Sequence, residues 1–469
     1  MKAARRSARL LLLLSALLAV FGVLTVLMTL VFRNGREYQR LITAGDAALS
    51  SGQSFAALEA YSGAVALRPD AMLPHLKRGG VYYTRGDYQS AVRDLRRAVD
   101  RDPSAPRALE LLGDASAAYG RHASAVASYQ RYLQVDDRSA SVLYKLGLAL
   151  YQDGQAAAAV TQVTNALRIN GDVAEAHHLL GLCFQALVRT QEARGAFERA
   201  IRLTPAFIAP REALGKLYLD EGHQQLAIEQ LEALATLEPL RPDRVAAVSL
   251  AHSHAGRVQA ALTRLEAGLE RFPNDALLHA LHGRTWLQLA GETRDPGASA
   301  RATRALQRAA SSPSASSQAL SIAAEGLMLA GDRETARKAI EEALLRQPVD
   351  PSAYRHAAES ADAAGDWQRA RDDYVRYATL VTDALPRGAV ALRIADLSSA
   401  LGERHIAVRW FERALADAEP SAEVLARFAA VVLDTGDTER ARMLILDGLA
   451  IDGAHAVLKA LHRRLEPAP

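Results

Sequence analysis

Small residues recur along the chain with a constant spacing of 34 residues. In the first half of the chain the recurring residue is glycine, at Gly45, Gly79, Gly113, Gly147, Gly181 and Gly215. An alanine follows each glycine after twelve residues, at Ala57, Ala91, Ala125, Ala159, Ala193 and Ala227, with Ala261 in a seventh unit. A constant period of this length is typical of arrays in which every unit is one small helical or strand motif.

The residues between these markers predict two helices in each unit. A second glycine stands where the first helix must end in a left-handed conformation, at Gly52, Gly86, Gly120, Gly154, Gly222 and Gly256, with Val188 as the exception. Prolines that would stop the second helix stand at Pro69, Pro103, Pro205, Pro239 and Pro273, replaced by Asp137 and Gly171 in two units. The first glycine and the alanine of each unit then let the two helices cross closely, since larger side chains there would push them apart.

This helix–turn–helix period of 34 residues resembles the tetratricopeptide repeat. Larger residues fill the remaining inner positions, at Tyr82, Leu150, Phe184 and Tyr218 on first helices and at Tyr61, Tyr129, Phe197 and Leu265 on second helices. The resemblance implies an all-α fold, a right-handed superhelical solenoid of about twelve helical hairpins. It also implies a concave groove, lined mainly by the first helices, that binds other proteins.

The period is interrupted after the seventh unit. The eighth unit begins at Gly283, and the segment Gly291 to Ala300 then reads as a polar inserted loop, in which a larger residue at Ala298 should do little harm. A serine-rich join at 311–317 precedes four units in which Ala358, Ala395 and Ala429 replace the first glycine. The predicted organisation is a basic tail at 1–9, a transmembrane signal-anchor helix at 10–32, a regular block of seven repeats at 38–274, a divergent repeat with an inserted loop at 275–317, a second block of four repeats at 318–453, and a capping helix with tail at 454–469.

The predicted anchor rests on the run from Leu10 to Phe32, which contains no charged residue. As a helix this run would be about 35 Å long, enough to cross a hydrocarbon core of about 30 Å. A cleaved signal peptide, which would leave a periplasmic adaptor, is the alternative, but the run exceeds the usual length of about 7–15 residues and no A-x-A-like site follows. Basic residues precede the run at Lys2, Arg5, Arg6 and Arg9. They favour a single pass through the inner (cytoplasmic) membrane, with a cytoplasmic N-terminus and the repeats in the periplasm or otherwise outside the cytoplasm.

Composition excludes some partner classes. The chain has 56 lysines and arginines against 53 acids, so without the four N-terminal bases the balance is 52 to 53. A neutral balance gives no reason to expect nucleic acid as a partner. An aromatic content of 6% favours helices packed closely through alanine over sheets.

No catalytic or cofactor motif is present in the sequence. It contains no phosphate-binding loop, zinc-binding H-E-x-x-H, C-x-x-C or nucleophile elbow, so we predict no enzymatic activity, no catalytic residue, no cofactor and no metal. The single cysteine, Cys183, is expected to be a small buried apolar residue. His75, His177 and His279 share the fourth position of their units and are expected to pack structurally rather than to bind a ligand.

The phase of the repeats also predicts which residues line the groove. These positions mix charges with tyrosines, which suits an extended peptide or a partner helix. The predicted lining is Arg107, Glu110, Asp114, Tyr144, Tyr151, Gln152, His178, Gln185, Glu212, Lys216, Asp220 and His254. The lysine–asparagine clamp with which some family members bind a C-terminal carboxylate is absent, since Glu110 and Asp114 stand at its positions in the third unit.

The sequence therefore predicts a membrane-anchored scaffold for protein–protein interaction, which binds peptide or helical segments of the subunits of a cell-envelope complex. Similar anchored repeat proteins serve polysaccharide or lipopolysaccharide assembly, secretion or cytochrome maturation, although the paired-cysteine metal module of one lipopolysaccharide-assembly family is missing here. A repeat-bearing regulatory subunit or part of a glycosyltransferase system is the alternative. No remaining segment is large enough for a catalytic domain.

Overall fold

The computed structural model describes residues 21, 28, 33–381, 384–416 and 420–465, without the side chains of 384–387. All regular structure in these ranges is helical, in twenty-five successive helices. The first hairpins are α1 (33–50) with α2 (Ser54–Leu67), α3 (Met72–Thr84) with α4 (Tyr88–Arg101), α5 (Pro106–Ala118) with α6 (His122–Leu133), α7 (Ala140–Gln152) with α8 (Ala156–Ile169), and α9 (Ala174–Ala186) with α10 (Thr190–Leu203). Helices α11 (Ile208–Asp220) and α12 (Gln224–Leu237) follow. The remaining helices are α13 (Pro242–His254), α14 (Val258–Arg271), α15 (Ala276–Thr293), α16 (Pro296–Ala310), α17 (Ser317–Leu329), α18 (Arg333–Leu345), α19 (Pro351–Ala363), α20 (Trp367–Leu380), α21 (Ala384–Ala400), α22 (Arg404–Ala416), α23 (Ala422–Asp434), α24 (Thr438–Ile451) and α25 (Ala456–Leu465).

The chain divides into two compact units, Met1–Glu221 and Gly222–Pro469. In the first unit the two helices of each hairpin pack together, and the second helix also packs on the first helix of the next hairpin. The first helices contact one another directly, α3 with α5, α5 with α7 and α7 with α9. They form one continuous layer, and we call the solvent-facing side of α3, α5, α7 and α9 the A face.

The small residues of the 34-residue period lie where helices cross. A Cβ atom at Gly113 would lie 2.4 Å from Cε1 of Tyr129, and one at Gly181 would lie 2.4 Å from Cε1 of Phe197. Ala125 and Ala193, on the opposing second helices, have no solvent exposure. Close crossing at these positions is as the sequence predicts, because no side chain larger than the native one fits between the paired helices.

The turn after α9 carries a strained residue. Gly154 ends the preceding hairpin's first helix with φ of 79°, and Val188 stands at the equivalent place with φ of 58°. The Val188 side chain is 85% exposed, so no packing within the described chain stabilises it there. A left-handed conformation is unfavourable for a β-branched residue, because its Cβ substituents crowd the backbone.

The inserted loop predicted for 291–300 is wrong. Helix α15 continues to Thr293 and α16 begins at Pro296, so only Arg294, with φ of 56°, and Asp295 separate them. Asp295 is the N-cap of α16, and its side chain accepts a hydrogen bond from the Gly297 amide at 2.8 Å. The sequence Asp-Pro-Gly is also common in loops. Ala298 is fully buried in α16, and the expectation that a larger residue would be harmless there is corrected accordingly.

The predicted capping position at the end of the chain is occupied by α25. This helix packs on α23 and α24. Leu458 and Leu461 are buried in a cluster with Ala426 and Ile445, while the basic residues of α25 lie on its other side. Helix α25 thus covers apolar surface of α23 and α24.

The predicted transmembrane anchor, 10–32, lies outside the described residues apart from Phe21 and Met28. Among the helices of the described ranges, none combines the length and the apolar character needed to cross a bilayer.

Candidate functional site

The predicted groove residues lie on first helices of the hairpins, but their exposure differs. Eleven of them belong to the first unit and His254 to the second. The exposed members are Arg107, Gln152, Glu212, Lys216, Asp220 and His254. The half-buried members are Glu110, Asp114, Tyr144, Tyr151, His178 and Gln185. Whether any of them contacts a partner stays a prediction, which the geometry below refines.

Asp114 and Glu110, two of the half-buried acids, are bound by a lysine of the next hairpin. Lys145 Nζ donates hydrogen bonds to Asp114 Oδ2 at 2.9 Å and to Glu110 Oε1 at 2.8 Å. On the other side, Tyr129 Oη donates to Asp114 Oδ1 at 2.7 Å, and Arg107 pairs with Glu110 at 3.1 Å. The carboxylates therefore neutralise Lys145 and link α5 to α7 instead of standing open to a ligand.

The same three residue types form the same cluster two hairpins earlier. Tyr61 Oη and Lys77 Nζ both donate to Asp46 Oδ1 at 2.6 Å. Asp46, Tyr61 and Lys77 precede Asp114, Tyr129 and Lys145 by 68 residues each, which is two repeat periods. Sequence reasoning missed the cluster because it compared single units, although a search at twice the period contains the signal.

Burial and hydrogen bonding shift the titration of this cluster. Burial, together with the bond to Asp114, raises the pKa of Tyr129 far above its ordinary value. Burial disfavours the protonated form of Lys145, but its bonds to both carboxylates outweigh burial and raise its pKa. Burial, the largest single effect on Glu110, would raise its pKa, but the bonds and charges of Lys145 and Arg107 together lower that pKa. At neutral pH Tyr129 therefore stays protonated, and Lys145 and Glu110 stay charged.

A cavity of about 290 Å³ opens on the A face above this cluster. We call it the A-face pocket. Its lining is Tyr83, Asp114, Ala117, Ala118, Tyr129, Lys145, Leu148, Ala149 and Gln152. Of the predicted groove residues the pocket brings together Asp114 and Gln152, and it adds Tyr83, Lys145 and Leu148, which sequence reasoning did not single out.

Tyr144, Tyr151 and His178 contribute more to the core than the sequence suggests. Both tyrosines are partly buried against the cluster that contains Leu146 and Leu150. The His178 ring lies 5.8 Å from Phe197 and 5.3 Å from Phe207 between ring centroids, and burial lowers its pKa. Truncating any of these three side chains would therefore remove packing as well as surface.

His75, His177, His279 and Cys183 make their contacts within the fold. His75, His177 and His279 each donate from Nε2 to the carbonyl oxygen six residues earlier, at 3.0, 2.9 and 2.8 Å. Each bond ties the start of a first helix to the end of the previous hairpin. Cys183 is fully buried, and burial raises its pKa to about 11. In the part of the chain that the structure describes, no group of three potential metal ligands is clustered.

Comparison with known proteins identifies a repeat family. The family model described as tetratricopeptide repeat matches residues 42–91, 76–141, 144–206 and 323–386. No curated protein matches the sequence.

Several solved structures are similar to parts of the chain. MamA is 24% identical over 36% of this chain and 92% of that one, with a TM-score of 0.35. A tetratricopeptide repeat protein from Parabacteroides merdae ATCC 43184 is 17% identical over 53% of this chain and 99% of that one, with a TM-score of 0.40. PilF of Pseudomonas aeruginosa is 19% identical over 48% of this chain and 99% of that one, with a TM-score of 0.36.

Proposed function

This chain is a tetratricopeptide-repeat protein, and from that premise we propose that it is a scaffold whose A-face pocket binds an extended segment of another protein. The observation that carries the proposal is the pocket itself, a concavity of about 290 Å³ built by side chains of α3, α5, α6 and α7. Pockets that combine apolar walls with a few fixed polar groups are the usual form of a binding site.

The chemistry of the pocket favours a neutral side chain of the partner. Its walls are apolar at Ala117, Leu148 and Ala149, and they would accept an aliphatic or aromatic group. Asp114 and Lys145 at its floor already satisfy each other, so the floor offers no unpaired charge for an acidic or basic residue. The exposed Gln152 at the rim has a donor and an acceptor for the backbone of an extended peptide.

The sharpest test fills the pocket without removing any native contact. Ala118, the last residue of α5, is exposed at the pocket wall, so Ala118→Trp places bulk in the pocket while the fold is retained. The matched control is Ala157→Trp, at an exposed alanine on the second helix α8 of the same unit. We expect Ala118→Trp to weaken capture of partner proteins by at least about tenfold, roughly 1.4 kcal/mol, with unchanged helicity, and Ala157→Trp to leave capture intact.

Site-specific photocrosslinking identifies the partner in the same experiment. A photoreactive phenylalanine at position 118 should crosslink to a protein that the same residue at position 157 does not reach. Crosslinks from 157 alone, or equal loss of capture in both tryptophan variants, would place binding elsewhere and overturn the proposal.

We also propose that the protein is anchored in a membrane and takes part in assembly of the cell envelope. A run of 23 uncharged residues, Leu10 to Phe32, supports a single-pass anchor in the cytoplasmic membrane, with the repeats outside the cytoplasm, where they would hold subunits of an envelope-assembly complex together. We expect the full-length protein to stay in the membrane pellet after alkaline carbonate washing, and a reporter fused after Pro469 to be active only outside the cytoplasm. Release by carbonate would contradict the anchor, and a cytoplasmic reporter signal would contradict the orientation.

A further inference from the structure

The divergent eighth hairpin carries three arginines on one face of its second helix. Arg301, Arg304 and Arg308 follow one another in α16 at spacings of three and four residues, which places them along one side of the helix over about 10 Å. All three side chains are exposed. In the part of the chain that the structure describes, none of them forms an ion pair with an acid.

Three arginines on second helices of the regular hairpins have partners near the start of their own hairpins. Arg101 pairs with Asp70 at 2.5 Å and Arg199 with Asp172 at 3.1 Å, each across to the start of its own hairpin. Arg131 donates instead to the carbonyl oxygen of Pro103 at 3.2 Å. These three are bound across to another segment of the chain, whereas Arg304 Nε donates to the Ala300 carbonyl oxygen of its own helix at 3.3 Å.

The three arginines line a cavity of about 670 Å³ within the second unit, which we call the arginine pocket. It lies among α14, α15 and α16, and its other lining residues are Glu266, Leu269, Pro273, His279, His282, Trp286 and Ala305. Only Glu266 among them is acidic, and its side chain is 54% exposed. The pocket therefore carries a positive charge over walls that are partly apolar.

Internal contacts fix the geometry of the pocket. The Arg301 guanidinium lies 4.8 Å from the centroid of the Trp286 ring. Trp286 Nε1 donates to His282 Nε2 at 2.8 Å, so His282 is the neutral tautomer protonated at Nδ1, and burial lowers its pKa. His279 donates to the Pro273 carbonyl at 2.8 Å. These contacts hold the tryptophan face and the stacked arginine in place before any ligand arrives, which reduces the entropic cost of binding.

We propose that the arginine pocket binds an acidic peptide segment of a partner protein, with carboxylates on Arg304 and Arg308 and an apolar residue against Leu269 and Pro273. Alternate side chains of an extended peptide lie about 7 Å apart, close to the separation of about 6 Å between arginines one helical turn apart. The apolar wall favours a peptide over a bare phosphate, because a phosphate leaves that surface unused. The pocket lies in the second unit, and the proposal does not depend on the A-face pocket.

The test uses the full-length protein and a defined probe. The probe is a fluorescently labelled, N-acetylated octapeptide that alternates glutamate with leucine and alanine, and its control has glutamine in place of glutamate. Binding is followed by fluorescence anisotropy at two salt concentrations. We expect saturable binding of the glutamate peptide, at least tenfold weaker binding of the glutamine peptide, and a clear loss of affinity at high salt.

Matched variants separate this pocket from general positive charge. Arg301→Gln with Arg304→Gln and Arg308→Gln should weaken binding at least tenfold. The same charge change on the outer helix α4, Arg93→Gln with Arg96→Gln and Arg97→Gln, should alter it less than twofold. A triple lysine variant of the pocket should keep most of the affinity, which shows that charge and not a folding defect carries the effect.

Two outcomes would overturn the proposal. One is equal weakening by the α16 and α4 variants, which would mean that any basic surface attracts the peptide. The other is that inorganic tripolyphosphate or vesicles of anionic lipid bind through the three arginines while the glutamate peptide does not, which would assign the pocket to phosphate groups.

Discussion

Lys145 reaches back 31 residues to Asp114 and joins two consecutive hairpins through a 2.9 Å hydrogen bond. The same spacing recurs between Lys77 and Asp46 in the first unit and between Arg427 and Asp396 in the second. A base on one first helix thus repeatedly bonds an acid on the preceding first helix. Because nearest-neighbour interfaces contribute much of the stability of a repeat array, these bridges help hold successive hairpins in register.

Lys145→Met should loosen this junction. The substitution leaves Glu110 and Asp114 close together without their shared cation, and we expect the free energy of unfolding to fall by about 1–2 kcal/mol. Hydrogen exchange of amides in α5 to α8 should accelerate more than exchange in α23 and α24. Arg107→Gln is the control, since that arginine is 66% exposed and its pair with Glu110 should matter little. An equal effect of both substitutions would show that the bridge is not the stabilising element.

The carboxylate of Glu110, which binds Lys145, should make the stability of the protein depend on pH. Glu110 has a pKa below its ordinary value of 4.5 in the folded state, because Lys145 and Arg107 together outweigh the effect of burial. Its contribution to stability is therefore present above about pH 4.5 and is lost as the pH falls through the folded pKa. We expect the difference in urea midpoint between the wild type and Glu110→Gln to be larger at pH 7 than at pH 3. In a Lys145→Met background this pH dependence should shrink, and a difference that persists unchanged would contradict the assignment.

The sequence predicts the period, the hairpins and the close crossings, because these depend on single residues at fixed positions. Gly113 and Ala125, for example, predict a close helix crossing from their own positions in the repeat, without knowledge of their neighbours in space. The Lys145–Asp114 bridge was not predictable in that way, since it requires the relative placement of two helices that are 31 residues apart. The segment 291–300 was misread for another reason: exposed helix and exposed loop share a polar composition, and Asp295 with Pro296 begins a helix as readily as a turn.

Gly181 and Gly195 lie in the two helices of one hairpin and should respond oppositely to alanine. A Cβ at position 181 would lie 2.4 Å from the Phe197 ring, and one at position 195 would have no heavy atom within 4 Å. We expect Gly181→Ala to destabilise the protein by about 1–3 kcal/mol through overpacking. Gly195→Ala should stabilise it by about 0.5–1 kcal/mol, because alanine favours a helix interior. Chemical denaturation of both variants checks the signs, and destabilisation by Gly195→Ala would be inconsistent with the open space beside it.

Substitutions at Ala298 and Ala300 can distinguish a packed helix from a loop at the start of α16. Ala298 is fully buried beside Leu262 and Trp286, and Ala300 is exposed two residues further on. Ala298→Leu should therefore cost about 1–3 kcal/mol of stability, whereas Ala300→Leu should change it by less than about 0.5 kcal/mol. The thermal midpoints of the two variants provide the comparison. Small changes of the thermal midpoint in both variants would favour the loop that the sequence first indicated.

Val188 offers a substitution that should stabilise the protein. With φ of 58° and a side chain that is 85% exposed, it bears the strain of a left-handed conformation without compensating contacts in the described chain. Glycine at position 188 would relieve backbone strain of about 1–3 kcal/mol in the folded state. It would also make the unfolded chain more flexible, which lowers the free energy of unfolding by about 0.4–1 kcal/mol. We therefore expect Val188→Gly to raise the free energy of unfolding by about 1 kcal/mol. The reverse substitution, Gly154→Val, is made at a φ of 79° in the preceding hairpin and should destabilise the protein by at least about 1 kcal/mol. Destabilisation by Val188→Gly would contradict the strain assigned to this turn. If the variant is more stable and partner capture falls, the turn after α9 belongs to the binding surface.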